Sequence, residues 1–300
     1  MLHFIPGPIK GLIVTLLIII NTLFWFPPLL LAAITKALLP ISIIRVTATK
    51  LAIAMATNWI SFNSFLFTVF HKIEWQIEGL EQLEKNQWYL VNCNHQSWAD
   101  IPIVQKILNR RIPMLKFFLK QELIWVPVIG LCWWALDFPF MKRYSAQQIR
   151  NNPELAGKDL ETTRKACEKF KDTPVSVFNF LEGTRFTPAK HAKQESPYTH
   201  LLKPKAGGAA FVLGSMGEQM HTMLDISIAY PEHKNGMWDL CCGRIDRVIV
   251  KIEKIEIPKE FLGKDYTQDQ AFKSAFQEWV NTLWERKDQQ LGELKARQTQ

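Results

Sequence analysis

Twenty-five consecutive residues without a charge, positions 11–35, constrain this chain more than any other feature. Lys10 precedes the run and Lys36 follows it. A helix needs about 20 apolar residues to reach across the hydrocarbon of a bilayer, and the core helix of a soluble domain seldom needs so many. Pro27 and Pro28 interrupt the run. The stretch before them gives only about 24 Å of helix, so the segment either spans with a kink or enters one leaflet and turns back. A second uncharged stretch, 51–70, is less apolar and dotted with Ser, Asn and Thr. That suits a helix lying in the interface or against protein as well as a span. Trp25, Trp59 and several phenylalanines crowd the two segments, and tryptophan favours the headgroup level. The apolar run is longer than a secretory signal uses and no clear A-x-A site follows, so an anchor is expected here rather than a cleaved leader.

Charge divides the chain at the same place. The net charge is +8, and residues 1–72 hold five of those charges (Lys10, Lys36, Arg45, Lys50, Lys72) with no Asp or Glu. A nucleic-acid binder would carry its basic footprint on the folded domain. A basic, apolar end instead points to an anionic bilayer surface. The expected organisation is an N-terminal membrane anchor, 1–72, with one or two embedded helices, and a nearly charge-balanced domain, 73–300. The five cysteines are odd in number, scattered and without a CxxC, which suits reduced thiols facing the cytosol.

From residue 73 the pattern alternates. Ile73, Trp75 and Ile77 interleave with polar residues, as in a half-buried strand. Residues 88–92, 175–181 and 224–230 read as further strands, and 158–171 as a helix. Within 245–257, Val248, Val250 and Ile252 share one phase and Ile255 and Ile257 the other, which predicts a bulge near Glu253-Lys254. Residues 267–287 have helical spacing behind a Thr267–Gln270 capping box. Strands alternating with helices define an α/β domain.

Two polar clusters follow apolar strands, where open α/β sheets place their ligands. The first is Asn94-His95-Gln96-Ser97-Trp98-Ala99-Asp100. On one continuous helix His95 and Asp100 would point about 140° apart. They meet if His95 lies in the turn and Asp100 opens the next helix, where Pro102 is tolerated in the first turn. Asp100 then accepts from one ring nitrogen and leaves the other free as a general base. The same residues also permit a plain helix cap, or a Ser97–Asp100 capping box. A metal would lack further ligands nearby, and Ser97 has no nucleophile elbow around it. The second cluster is Glu182-Gly183-Thr184-Arg185. Glycine allows a tight turn and arginine a two-point grip on phosphate, though a turn with a surface ion pair has the same sequence.

Together the clusters resemble the hallmark of the glycerophospholipid acyltransferases of lysophosphatidic acid acyltransferase (PlsC) type: N-H-x-x-x-x-D, then F-P-E-G-T-R some eighty residues on. Leu181 stands where that family usually has proline. Lys120-Gln121-Glu122-Leu123 with Pro127 and Gly130, Phe140-Met141-Lys142-Arg143, and Lys205 with Gly207 are similar to its intervening and later blocks. Ile226-Ser227-Ile228 departs from the usual V-P-V. Within the family, CNHQSWADI and ALDFPFMKRYS look closest to the YihG-type bacterial branch.

The resemblance implies a mixed sheet flanked by helices, and transfer of an acyl group from acyl-CoA or acyl-carrier protein to the hydroxyl of 1-acyl-sn-glycerol 3-phosphate. It implies His95 as general base, oriented by Asp100. Arg185, Arg143 and Lys120 would bind the acceptor's phosphate, and Glu182, Gly183 and Thr184 would shape its pocket. No metal or prosthetic group is implied, because the thioester is already activated. The implied partners are the lysophospholipid, the acyl thioester and the bilayer, with no nucleic acid. Basic residues flanking the anchor place the domain on the cytoplasmic side of a bacterial inner membrane.

Overall fold

The computed structural model describes residues 2–39, 41–141, 151–152, 167–168, 170, 173–231, 236–264 and 269–296. Two long helices come first. α1 (Gly7–Leu38) runs as one helix through Pro27 and Pro28. α2 (Ser42–Phe70) begins ahead of the second uncharged stretch. The polar residues that make α2 less apolar are used against α1. Asn21 Nδ2 donates to Asn63 Oδ1 at 2.9 Å and to the Trp59 carbonyl at 3.1 Å, and Trp59 Nε1 donates to Thr22 Oγ1 at 3.0 Å.

The sheet starts with β1 (Glu74–Glu78) and β2 (Tyr89–Cys93), then α3 (Asp100–Leu108) and β3 (Leu115–Phe117). A short excursion holds β4 (Leu119–Lys120), α4 (Ile129–Ala135) and β5 (Phe140–Met141). β6 (Ser176–Phe180), α5 (Pro188–Gln194), α6 (Gly207–Met216), β7 (Thr222–Ala229), α7 (Met237–Cys242), β8 (Arg247–Glu256) and α8 (Gln270–Ala296) complete it. Six strands pair in the order β1-β8-β7-β2-β6-β3, all parallel to their neighbours except β8 against β7. The result is the mixed sheet that was expected.

Both faces are covered. Leu90, Val177, Met223 and Ile249 pack with residues of α6 and α8, whereas Tyr89, Val91, Leu224 and Val248 pack with α3 and the end of α2. This explains the phase change in β8, and it corrects the expected bulge. Residues 249–256 each face one partner on β7 in unbroken register. Val248, Val250 and Ile252 fill one face, and Ile249 and Ile255 belong to the other. The apolar residues change face while the strand stays regular.

α8 runs well past residue 287. Its first turn is capped by Asp269, whose Oδ1 accepts from Phe272 N at 2.9 Å. Thr267 of the expected capping box lies outside the described residues, as does the helix expected at 158–171 apart from Cys167, Glu168 and Phe170. Lys287, fully buried on α8, donates to the Ile226 carbonyl at 2.6 Å and lies 3.1 Å from Asp225 Oδ1, fastening the helix to β7.

Candidate active site

Register brings the polar clusters together. On the parallel strands β6, β2 and β7, Cys93 stands opposite both Phe180 and Ile226. The residues that follow therefore leave the sheet side by side at its carboxyl edge. Asn94 locks that edge: its side chain donates to the Ile228 carbonyl at 2.9 Å and accepts from Ile228 N at 2.8 Å.

His95 lies in the turn after β2, and Asp100 is the first residue of α3. His95 Nδ1 is 2.8 Å from Asp100 Oδ2. The same oxygen accepts from Gln96 N at 2.7 Å and Ser97 N at 2.8 Å, while Oδ1 accepts from the Tyr230 hydroxyl. Asp100 thus caps the turn and also holds the imidazole. Of the sequence readings, the His95–Asp100 contact is present, whereas the plain helix cap is not: α3 is preceded by Ala99 with no side-chain cap, and Asp100 instead holds two N–H groups of the turn ahead of the helix. The imidazole stacks on Phe180 with centroids 3.8 Å apart, and its side chain is 12% exposed. The hydrogen bond at Nδ1 leaves Nε2 as the second ring nitrogen for a reacting proton.

Glu182 does not pair with Arg185. It is fully buried, and its carboxylate accepts from His95 N at 2.6 Å and Leu202 N at 2.9 Å. Burial pushes its carboxyl up to about 7, against these two N–H bonds, which favour the charged form. With both oxygens held by the backbone, Glu182 fixes the His95 turn. Phe186 N donates to the His95 carbonyl at 2.7 Å, so the second cluster grips the first from both sides.

Gly183 has φ +67°, where a side chain is strained, and a Cβ there would meet Lys205 Cδ at 3.2 Å. Thr184 Oγ1 accepts from Lys190 Nζ at 2.7 Å. The Arg185 guanidinium lies 4.4 Å from the centre of the exposed Trp98 ring. Arg185, Lys190 and Lys205 give this turn a basic rim.

Lys120 is exposed on β4, opposite Met141 of β5, so the blocks around 120 and 140 are neighbours. No described contact joins Lys120 to His95, and Arg143 lies outside the described residues.

An apolar cleft of about 340 Å³ opens between α1, α2 and the start of α3, lined by Ile18, Trp59, Phe67, Trp98, Ile101 and Met237 among others. Trp98 therefore stands between this cleft and Arg185. Among the described residues no three His, Cys, Asp or Glu side chains group as a metal site. Tyr230 and Lys190 carry no sequence signal of their own, and strand register and the turn bring them to the site; Phe180 belongs to the second motif block but has no role in the sequence reading. Trp98 was visible within its block but without a role.

The architecture is that of an acyltransferase domain. The crystal structure of the 1-acyl-sn-glycerophosphate (LPA) acyltransferase PlsC from Thermotoga maritima shares the fold, with a TM-score of 0.50 at 18% identity over 92% of this chain and 97% of that one. Residues 74–231 match the family model described as Acyltransferase, and the chain belongs to that family. Its similar relatives include 1-acyl-sn-glycerol-3-phosphate acyltransferase delta of Homo sapiens, 25% identical over 62% of this chain and 52% of that protein. The gamma enzyme of Mus musculus is 26% identical over 58% and 44%. The chain thus spans about half the length of the curated relatives it matches.

Proposed function

We propose that the chain transfers a fatty acyl group from acyl-CoA or acyl-carrier protein to the free hydroxyl of 1-acyl-sn-glycerol 3-phosphate, giving phosphatidic acid for phospholipid synthesis. The observation that carries this reading is the His95–Asp100 contact at 2.8 Å, placed beside Arg185 and the apolar cleft. His95 Nε2 takes the hydroxyl proton as the oxygen attacks the thioester carbonyl. Asp100 holds the imidazolium that forms. The tetrahedral adduct collapses, the C–S bond breaks, and the imidazolium returns the proton to the departing thiolate.

Arg185 binds the acceptor's phosphate, with Trp98 steadying the guanidinium from below. The apolar cleft on the far side of Trp98 takes an acyl chain. Lys120 and Arg143 are further candidates for phosphate. The deciding experiment assays the purified protein in vesicles against a panel of lysolipids with one acyl-CoA. Transfer to lysophosphatidate above the others is expected. Transfer to a lysolipid or glycolipid without an exposed phosphate, in preference to lysophosphatidate, would refute the acceptor assignment, and no transfer at all would leave a non-catalytic lipid binder.

Arg185→Lys keeps the charge but loses the planar two-point contact and the stacking. We expect a ten- to hundredfold loss in use of lysophosphatidate, about 1.5–3 kcal/mol for a hydrogen bond to a charged group. The KM for the acceptor should carry that loss and the KM for the donor should hardly change. Titrating the two substrates separately checks it: a selective donor defect would move Arg185 to the coenzyme's phosphates.

The reading includes the bilayer. α1 touches the domain near both ends. Val14 is buried in the core beneath the sheet and Gly11 abuts Trp238 and Cys242, while Lys36 pairs with Asp137. About 39 Å of helix separates Lys10 from Lys36, more than the roughly 30 Å of bilayer hydrocarbon. A helix that crossed the membrane would have its ends on opposite sides and could not touch one domain at both. α1 and α2 therefore lie along the domain, with the exposed row Leu12, Leu16, Ile20 and Phe24 in the cytoplasmic leaflet of the inner membrane. Protease-cleavable tags placed before residue 7 and between α1 and α2 are expected to be cut from the same side of sealed vesicles. Protection of one tag and not the other would establish a span.

A further inference from the structure

We propose that Tyr230 is a positioning residue for the His95–Asp100 pair, its hydroxyl holding the carboxylate oxygen that His95 leaves unused. This rests on His95 acting as general base. Asp100 Oδ2 already takes three donors: His95 Nδ1, Gln96 N and Ser97 N. Oδ1 faces Tyr230, and among the described hydrogen bonds no other donor reaches it. A fully buried carboxylate with one empty oxygen would be costly. It would also be free to rotate away from the imidazole.

The placement of Tyr230 comes from the same backbone that places His95. β7 runs parallel to β2, and the two bonds between Asn94 and Ile228 tie the strands two residues before the tyrosine. Residues two apart on a strand share a face. The phenol is 6% exposed and belongs to the core cluster under that face. Burial and the adjacent Asp100 raise its ionisation well above the ordinary range, so it remains a donor at all working pH values.

The consequence is electrostatic as well as geometric. A donor on Oδ1 shares the carboxylate's charge and weakens its hold on an imidazolium. Removing the donor strengthens that hold, so His95 is protonated at higher pH and the base is lost earlier on acidification. The other titratable groups around the pair are Cys93 on β2, Glu182 after β6, Asp225 on β7 and Lys287 on α8. Cys93 is kept as a thiol by burial. Asp225 and Lys287 pair with each other. Glu182, raised to about 7, titrates within the same pH span, and its contribution is common to wild type and a Tyr230 variant because its oxygens are held by His95 N and Leu202 N.

The test is Tyr230→Phe in the full chain, which keeps the ring and deletes the hydroxyl. We expect kcat to fall about tenfold, with both KM values nearly unchanged. The acid limb of kcat/KM should move up by about half a unit to one unit. The ring resonances of isotope-labelled histidine, with His95 assigned by its absence from His95→Ala, should titrate correspondingly higher. A hydroxyl that served only packing would lower the melting temperature and leave both profiles in place, and that result overturns the proposal. Should the phenylalanine variant accumulate poorly, 3-fluorotyrosine at position 230 supplies a stronger donor with little change in shape. It should move the acid limb and the His95 resonances to lower pH, and unmoved profiles overturn the proposal equally. If the wild-type chain transfers no acyl group to any lysolipid, the general-base reading fails, while the His95 resonances still report whether Tyr230 is coupled to the pair.

Discussion

His95→Ala is expected to lower kcat by about 10²–10⁴-fold, the usual worth of a positioned general base. The geometry around the residue makes the experiment clean. The backbone of His95 is held from outside its own side chain, by Glu182 at the nitrogen and by Phe186 at the carbonyl. Truncation therefore leaves the turn in place. Asp100 keeps Gln96 N, Ser97 N and the Tyr230 hydroxyl when the imidazole is gone. What is lost in the fold is the stack on Phe180, with the side chain partly open to solvent, so only a small fall in melting temperature should accompany the loss of turnover. Turnover measured on the folded variant decides the matter. Near wild-type kcat would show that another group takes the hydroxyl proton. A kcat loss matched by an equal loss of folded protein would make His95 a structural residue.

The parts of the site legible in the sequence were those whose partners are close along the chain. His95 and Asp100 are five residues apart, and the turn-then-helix reading needed only Pro102 and the angular spacing of a helix. Glu182 to Arg185 form one turn. What could not be read was anything fixed by strand register. Glu182 bonds His95 N across 87 positions and Tyr230 bonds Asp100 across 130. No local pattern sets β2 between β6 and β7. A charged tetrapeptide at a turn also reads as a surface ion pair, and the structure does not form it: Glu182 holds His95 N and Leu202 N. The buried edge of the sheet, with two N–H groups needing an acceptor, claims the carboxylate instead.

The misreading of β8 has a related cause. Alternation reports one buried face, and a strand that is buried on both faces at different points along its length mimics a bulge. In α1, by contrast, the prolines suggested interruption, yet the helix continues through them. Its function was ambiguous in sequence because length and hydropathy are the same for a spanning helix and one lying along a domain. The proposed reading of a helix along the domain rests on the contacts of Val14 and Lys36 with it.

Asp100→Asn is expected to reduce kcat on the order of 10²–10³-fold while leaving the chain folded. Alanine would be uninformative here. Four donors converge on this fully buried carboxylate, and each buried donor left unsatisfied costs about 1–3 kcal/mol, so the turn itself would be lost. Asparagine can keep the set. Its carbonyl replaces Oδ2 and accepts from Gln96 N, Ser97 N and His95 Nδ1, while its amide replaces Oδ1 and donates to the Tyr230 oxygen once that hydroxyl turns. The imidazole then retains its tautomer and its place. Only the negative charge is removed, and with it the stabilisation of the imidazolium formed as the acceptor hydroxyl loses its proton. The sign of the pH effect follows. Without the carboxylate, His95 gives up its proton more readily, and the acid limb of kcat/KM moves to lower pH. This is opposite to the direction expected for Tyr230→Phe. The two variants together separate charge from geometry, since a mere displacement of His95 would lower kcat in both without moving the limb in opposite senses. If Asp100→Asn keeps wild-type kcat and its acid limb, the carboxylate only holds the turn ahead of α3 and the dyad assignment fails.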